Sequence, residues 1–374
     1  MGREPARGVA VGRELLAHHS TDGFLASYDP CARRWQQHDD VPQELRRIAP
    51  LALDATHASL CCGPPDASGL LVDVTTAAPR TIPSMPRTPY PGRTHQVLAD
   101  GLLVPTDKRF VSAGASWRVV TFDDATFEAA GRQASAWASG GAFVLAFGGS
   151  RFENGTTRLP PGGAVFDGRK DAWRMAASTG APGPRVDAAA VWTGAQMLVY
   201  GGRGPAADGS LVALTDGGLY DPVSDRWTPL HGGPVLEGRV DATVAGHRVI
   251  LWDAQRGAIY DLRKGTWREL GLPARVAIQD RPFGHGRVAV VTDAEAFVLD
   301  PESLAWARHE LPKALHGRHQ RVQVMTSTHL VVWAGQRNVG GGGCENVPRD
   351  QGCDPYVETK PAFDGAALEL GSCR

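Results

Sequence analysis

A chain of 374 residues with a formal net charge of −1 carries no field that would gather nucleic acid or an anionic membrane. Its hydrophobic content of 42% suffices for a buried core, yet no run of about 18 apolar residues reads as a membrane-spanning helix. Glycine (45) and proline (27) are too frequent for a helical protein and fit many short strands joined by turns.

The chain opens MGREPARGVAVGRELLAHH, without the continuous apolar stretch of a secretory signal, and Ala6 stands where N-myristoylation needs Ser or Thr. A repeat begins at once. Arg7 leads a first predicted strand, and Tyr28-Asp29 is followed, seven residues after the tyrosine, by Trp35. A second unit carries Arg47 and Val72-Asp73 but no tryptophan; a third has Arg93, Phe110 and Trp117 but no Asp. The fourth unit is complete, with Arg132, Gly148-Gly149, Phe166-Asp167 and Trp173. In the fifth, Arg185 opens a strand from Val186 to Trp192, Met197 to Gly202 forms a second, Gly218 to Pro222 a third, and Arg226-Trp227-Thr228 begins a fourth. Arg239, Tyr260-Asp261 and Trp267 mark the sixth unit, and Arg275, Leu299-Asp300 and Trp306 the seventh. Arg318, Phe363-Asp364 and Leu370 mark a degenerate eighth.

The eight marks (28, 72, 110, 166, 220, 260, 299, 363) recur with a period near 40, interrupted by inserts. Four short strands per unit at that period predict an all-β propeller of seven or eight four-stranded antiparallel blades, eight by repeat count. One domain spanning residues 1–374 is expected, closed by joining its N-terminal and C-terminal blades. Each tryptophan is expected to fill space between adjacent twisted sheets, and the Asp, often followed by Pro, to set the turn between third and fourth strands.

The Arg-led first strand, the Gly-Gly after the second (Gly148-Gly149, Gly201-Gly202) and the aromatic-Asp followed by Trp resemble the Kelch repeat, most closely from about Arg132 to Trp306. Trp252-Asp253 and Ala334-Gly335 replace the glycine pair in two units. The resemblance implies a propeller of the galactose-oxidase-like superfamily. Some such propellers are copper-radical oxidases that need a cysteine-linked tyrosine with further Tyr and His ligands. Among the six tyrosines, only Tyr90 and Tyr356 fall outside the repeat and its second strands, too few to assemble that site.

The three longest inserts, Ser150 to Gly163, Arg203 to Gly217 and Gln336 to Lys360, all join second to third strands. They are therefore expected on the face where the first strands start, around one channel mouth. Arg93, Arg185, Arg239 and Arg318 approach that mouth and are candidate contacts for an anionic ligand. Against this stands the plainer role of arginines repeated for the sake of the fold, with Asp187 and Asp241 as salt-bridge partners.

Cys344 and Cys353 bracket a glycine-rich loop and are a candidate disulfide, which would imply an oxidising compartment; the N-terminus argues the other way. Six cysteines are too few for a disulfide scaffold, and at least one of Cys61 and Cys62 is expected as a small buried apolar residue. His316 and His319, three apart on a strand, face opposite sides, and the loop acids Glu345, Asp350 and Asp354 lack a calcium-ligand order, so no metal or cofactor is expected. Asn154-Gly155-Thr156 matches the glycosylation sequon. A monomeric, non-catalytic binding module for a protein or glycan is the expected function, and an oxidoreductase or sugar-modifying enzyme with its site at the channel mouth is the alternative.

Overall fold

A computed structural model of the chain describes residues 7–18, 23–38, 41–46, 48–61, 68–76, 79–84, 96–104, 108–111, 116–253, 255–273, 283–284, 286–319, 321–334, 336–342, 356–361 and 365–373. The architecture is a β-propeller built from seven four-stranded antiparallel blades. Blade five shows the unit: Ala189–Trp192 pairs with Met197–Tyr200, which pairs with Gly217–Asp221, which pairs with Arg226–Leu230.

Strand register explains the seven-residue spacing. Asp221 pairs with Arg226 at the last rung, so Tyr220 falls directly opposite Trp227 across the hairpin. Tyr28 with Trp35, Phe166 with Trp173, Tyr260 with Trp267 and Leu299 with Trp306 obey the same register, and so do Phe110 and Trp117 where the Asp is missing. Ring centroids in three of these pairs lie 4.8–4.9 Å apart. Such cross-strand aromatic contacts are the unit of sheet stabilisation.

The Asp carries the turn itself. Asp221 Oδ1 accepts from the Val223 and Ser224 backbone N–H groups, and Asp29, Asp261 and Asp300 each accept from the corresponding two amides. Proline follows only some of these aspartates, so the carboxylate is the constant element. Four residues after each Asp the backbone turns left-handed, at Arg33, Asp171, Asp225, Gly265 and Leu304.

Each repeat indole does bridge to the preceding blade. Trp227 Nε1 donates to Ala177 O at 2.8 Å, Trp306 Nε1 to Gly271 O at 2.9 Å and Trp117 Nε1 to Pro83 O at 2.8 Å. Every acceptor lies one or two residues past the fourth strand of the blade before. The indole face completes the wedge: Trp227 sits 5.0 Å from Phe147 of blade four, and Trp267 sits 4.3 Å from Tyr200 of blade five. A polar tip and a large apolar body suit that boundary.

Two features depart from expectation. A seven-residue helix, α1 (Asp124–Ala130), occupies the insert between blades three and four, started by a capping box in which Asp123 and Thr126 bond each other's backbone N–H. The eighth unit is a three-stranded sheet of Val322–Met325, His329–Trp333 and Gly365–Glu369. Its third strand starts after Phe363-Asp364 instead of ending there, so Leu370 pairs with no aromatic partner across a hairpin. This sheet packs on blade seven through Val298, Leu330 and Val332, and on blade one through Leu15, Val322 and Trp333.

Candidate interaction face

Arg185 is the best-defined of the four predicted arginines, and it faces inward. Its side chain is 1% exposed, and all five donors are committed to the protein. Nε bonds Gly183 O, Nη1 bonds Gly201 O and Asp216 O, and Nη2 meets both carboxylate oxygens of Asp216 at 3.0 and 3.1 Å. Burial pulls its pKa down while Asp216 pulls it up. Arg318 is likewise buried and bonds Ala334 O, sixteen residues on, as Arg185 bonds Gly201 O. Arg132 repeats the theme with Nη1 directed at the carbonyls of Pro160, Pro161 and Gly162. The Arg185 guanidinium clamps the end of the second strand to the start of the third, while Arg318 holds the second-strand end and Arg132 the approach to the third strand.

Arg239 differs. Its side chain is 74% exposed and touches Asp241 at 3.3 Å. Arg93 lies outside the described residues. Asp241 is thus the predicted partner of its arginine, whereas Asp187 pairs with Arg203 at 2.6 Å. The reason is direction: the Arg185 guanidinium turns toward Asp216, a residue that nothing in the local sequence marks beyond its place before Gly217.

The clamp also explains the glycine pair. Gly201 and Gly202 have φ of 66° and 78°, and a Cβ on Gly202 would come 2.3 Å from Val186 O. Only glycine occupies such a position without strain. Ala334 takes the same left-handed turn in the eighth sheet.

From these pinned strand ends the inserts rise. In blade four, Arg151–Glu153 and Thr156–Arg158 form a hairpin whose tip, Asn154-Gly155, is left-handed at both residues. Asn-Gly is the favoured pair for that turn, so the sequon doubles as a fold signal. In blade five, Arg203–Pro205 pairs with Leu211–Ala213. Residues just before the first strands bridge to these inserts, Gln133 to Ser150 and Val186 to Arg203, which puts strand starts and inserts on one face. At the eighth sheet, Arg318–His319, just before the first strand, pairs with Gln336–Gly342 of the insert, which pairs with Tyr356–Pro361. Phe152 is 73% exposed, Leu211 41% and Val212 45%, so the two neighbouring hairpins present apolar side chains to solvent.

On the opposite face, at the blade one–blade two boundary, a cavity of about 180 Å³ is lined by Arg13, Glu14, Ser27, Asp29, Arg34 and Thr75 among others. Burial raises the Glu14 pKa, opposed by a hydrogen bond from Ser27.

The Tyr200 and Tyr220 hydroxyls are engaged within the fold. Tyr200 Oη donates to Thr215 O and Pro234 O, and Tyr220 Oη to Asp225; burial raises both phenol pKa values. Tyr90 and the side chain of Tyr356 lie outside the described residues, as do Cys62, Cys344, Cys353, Glu345, Asp350, Asp354 and the His319 side chain. Two cysteine findings go beyond the sequence reading. Cys31 and Cys373 form a disulfide across 342 residues, a pairing that spacing alone does not reveal. Cys61 is buried as expected but is disulfide-bonded, not a simple apolar filler.

No family model matches the chain. The F-box protein AFR of Arabidopsis thaliana is 27% identical over 146 residues, covering 33% of this chain and 39% of that protein, so the chain spans well under half of that relative. Among solved structures, that of YjhT is similar with a TM-score of 0.37 and 14% identity, covering 64% of this chain and 84% of the other.

Proposed function

We propose that this chain is a Kelch-type interaction propeller, one domain across residues 1–374, that binds a protein partner through the face carrying the inserts. The observation that supports this most is the exposure of Phe152, Leu211 and Val212 on two adjacent hairpins held by a buried scaffold. Apolar side chains on loops above rigid sheets are how such scaffolds present binding surfaces. Arg239, exposed and on the rim of the same face, adds a positive contact for an acidic group on the partner. The buried Arg185 guanidinium and the Tyr200 and Tyr220 hydroxyls are all engaged in bonds that hold the fold, which favours a binding role for the exposed inserts.

The test compares the wild-type chain with Phe152→Ser/Val212→Ser, and with Val223→Ser, an equally exposed apolar residue in a turn between third and fourth strands. Partners captured from the native source and identified by mass should be lost from the hairpin variant and kept by the turn variant, with thermal stability equal in all three. Identical partner sets for the hairpin variant and wild type would discard the proposed face.

A further inference from the structure

The boundary between blade one and the eighth sheet joins a four-stranded blade to a three-stranded sheet. The eighth sheet has three strands, so the junction rests on a packed cluster, on contact between Trp35 and Trp333 at 5.3 Å, and on the Ser327 N–H donating to Gly12 O at 2.9 Å. The Cys31–Cys373 disulfide adds a covalent tie between the turn after blade one's third strand and the segment after the last strand.

Beside that disulfide stands His329, at the start of the eighth sheet's second strand. One donor atom each from Cys31, His329 and Cys373 lies within 4.8 Å of the others. His329 is buried, Cys31 half-buried and Cys373 exposed. Thr328 Oγ1 sits 2.9 Å from His329 Nδ1 and 3.7 Å from Cys31 Sγ, placed to orient the ring and settle its tautomer. Burial lowers the imidazole pKa, opposed by Glu369 and Asp29 and aided by Arg33.

We propose that, when this disulfide is reduced, the thiolates of Cys31 and Cys373 and the imidazole of His329 bind one Zn²⁺, which holds blade one to the eighth sheet in place of the sulfur–sulfur bond. The donor set is chemically apt, since two thiolates and one imidazole with water in the fourth place satisfy tetrahedral zinc. Tetrahedral zinc sets its two sulfurs about 3.8 Å apart at bond lengths of about 2.3 Å. The cysteine Cα atoms, 5.7 Å apart, reach that separation by side-chain rotation. The exchange balances. A dithiol reductant delivers two electrons and two protons to the disulfide and becomes a disulfide itself; Zn²⁺ then displaces the two thiol protons into solvent. The junction is closed in either redox state, by sulfur–sulfur bonding under oxidation and by metal under reduction.

The experiment uses the full chain, reduced with a phosphine under argon, and titrated with Zn²⁺ against a chromogenic chelator. Cys373→Ser alters only an exposed tail residue, so it leaves the fold in place once both proteins are reduced. Wild type should take up one zinc equivalent more than Cys373→Ser, and His329→Gln should weaken that equivalent at least tenfold. Zinc should raise the melting temperature of the reduced wild type and not that of reduced Cys373→Ser. Equal zinc uptake by wild type and Cys373→Ser, or unchanged affinity in His329→Gln, overturns the site. The hairpin face is untouched by these variants, so loss of partner binding and loss of zinc are separable results.

Discussion

Replacing Arg185 by alanine isolates the clamp from every surface role. The guanidinium donates at 3.0 Å to Gly201 O and Asp216 O, and the change leaves both without their charged donor. Gly201 O is left unmet, at a cost of about 1–3 kcal/mol, while Asp216 O keeps the Gly201 N–H at 3.1 Å. The Asp216 carboxylate is 42% exposed and recovers water, which discounts its share of the ion pair. A total of about 2–4 kcal/mol follows once the lost packing of the buried arginine stem is included. Unfolding entropy of about 2.1 cal/mol/K per residue gives about 0.8 kcal/mol/K for a chain of this size, so the melting temperature should fall by about 3–5 °C. Arg239→Ala is the control, because an exposed pair is worth at most about 1 kcal/mol. Calorimetry of both variants decides. Equal shifts for the two, or an Arg185→Ala protein melting with the wild type, would refute the clamp.

Four further outcomes are expected. Trp227→Phe removes the bond to Ala177 O across a blade boundary and should cost about 1–2 kcal/mol in urea denaturation followed by fluorescence. Gly202→Ala should unfold the chain or express poorly, since its Cβ meets Val186 O at 2.3 Å, whereas Gly232→Ala, also left-handed but in open space, should cost about 1 kcal/mol. Cys31→Ser, compared with the oxidised wild type, removes a cross-link over 342 residues and should cost as much as about 5–6 kcal/mol in the chain-entropy limit, while the two proteins should converge once reduced without zinc. Acid should destabilise the fold through the turn aspartates: the Arg169 side chain lowers the Asp167 pKa, the Ser224 hydroxyl that of Asp221, and the Ser303 amide that of Asp300. With folded pKa values below the unfolded carboxylate value near 4, their contribution is complete above that pH and is lost as pH falls through the folded values, which a melting series from pH 6 to pH 2 would show.

The repeat was legible because its signals are local. A cross-strand pair seven residues apart, a carboxylate that closes its own turn and a glycine at a left-handed corner each leave a mark within ten residues. The direction of Arg185 was not, because the same residue at the same place serves either the rim or the interior, and the choice depends on Asp216 thirty-one residues away. Cys31 and Cys373 meet only because a ring returns its end to its beginning, and no spacing rule encodes that. The eighth unit misled for a related reason: Phe363-Asp364 has the composition of a strand end, yet pairing places the strand after it.

The clamps also bear on how such a chain tolerates change. In blades four and five the ends of each insert are tied before the insert begins, Gly148 N–H to Gly162 O at 3.0 Å and Gly201 N–H to Asp216 O at 3.1 Å. In blade six the same interval shrinks to the few residues between Trp252 and Gly257. Because the anchors fix the span, added length costs only the slowly growing entropy of closing a larger loop. New binding chemistry can therefore accumulate at these sites while the sheets beneath keep their geometry.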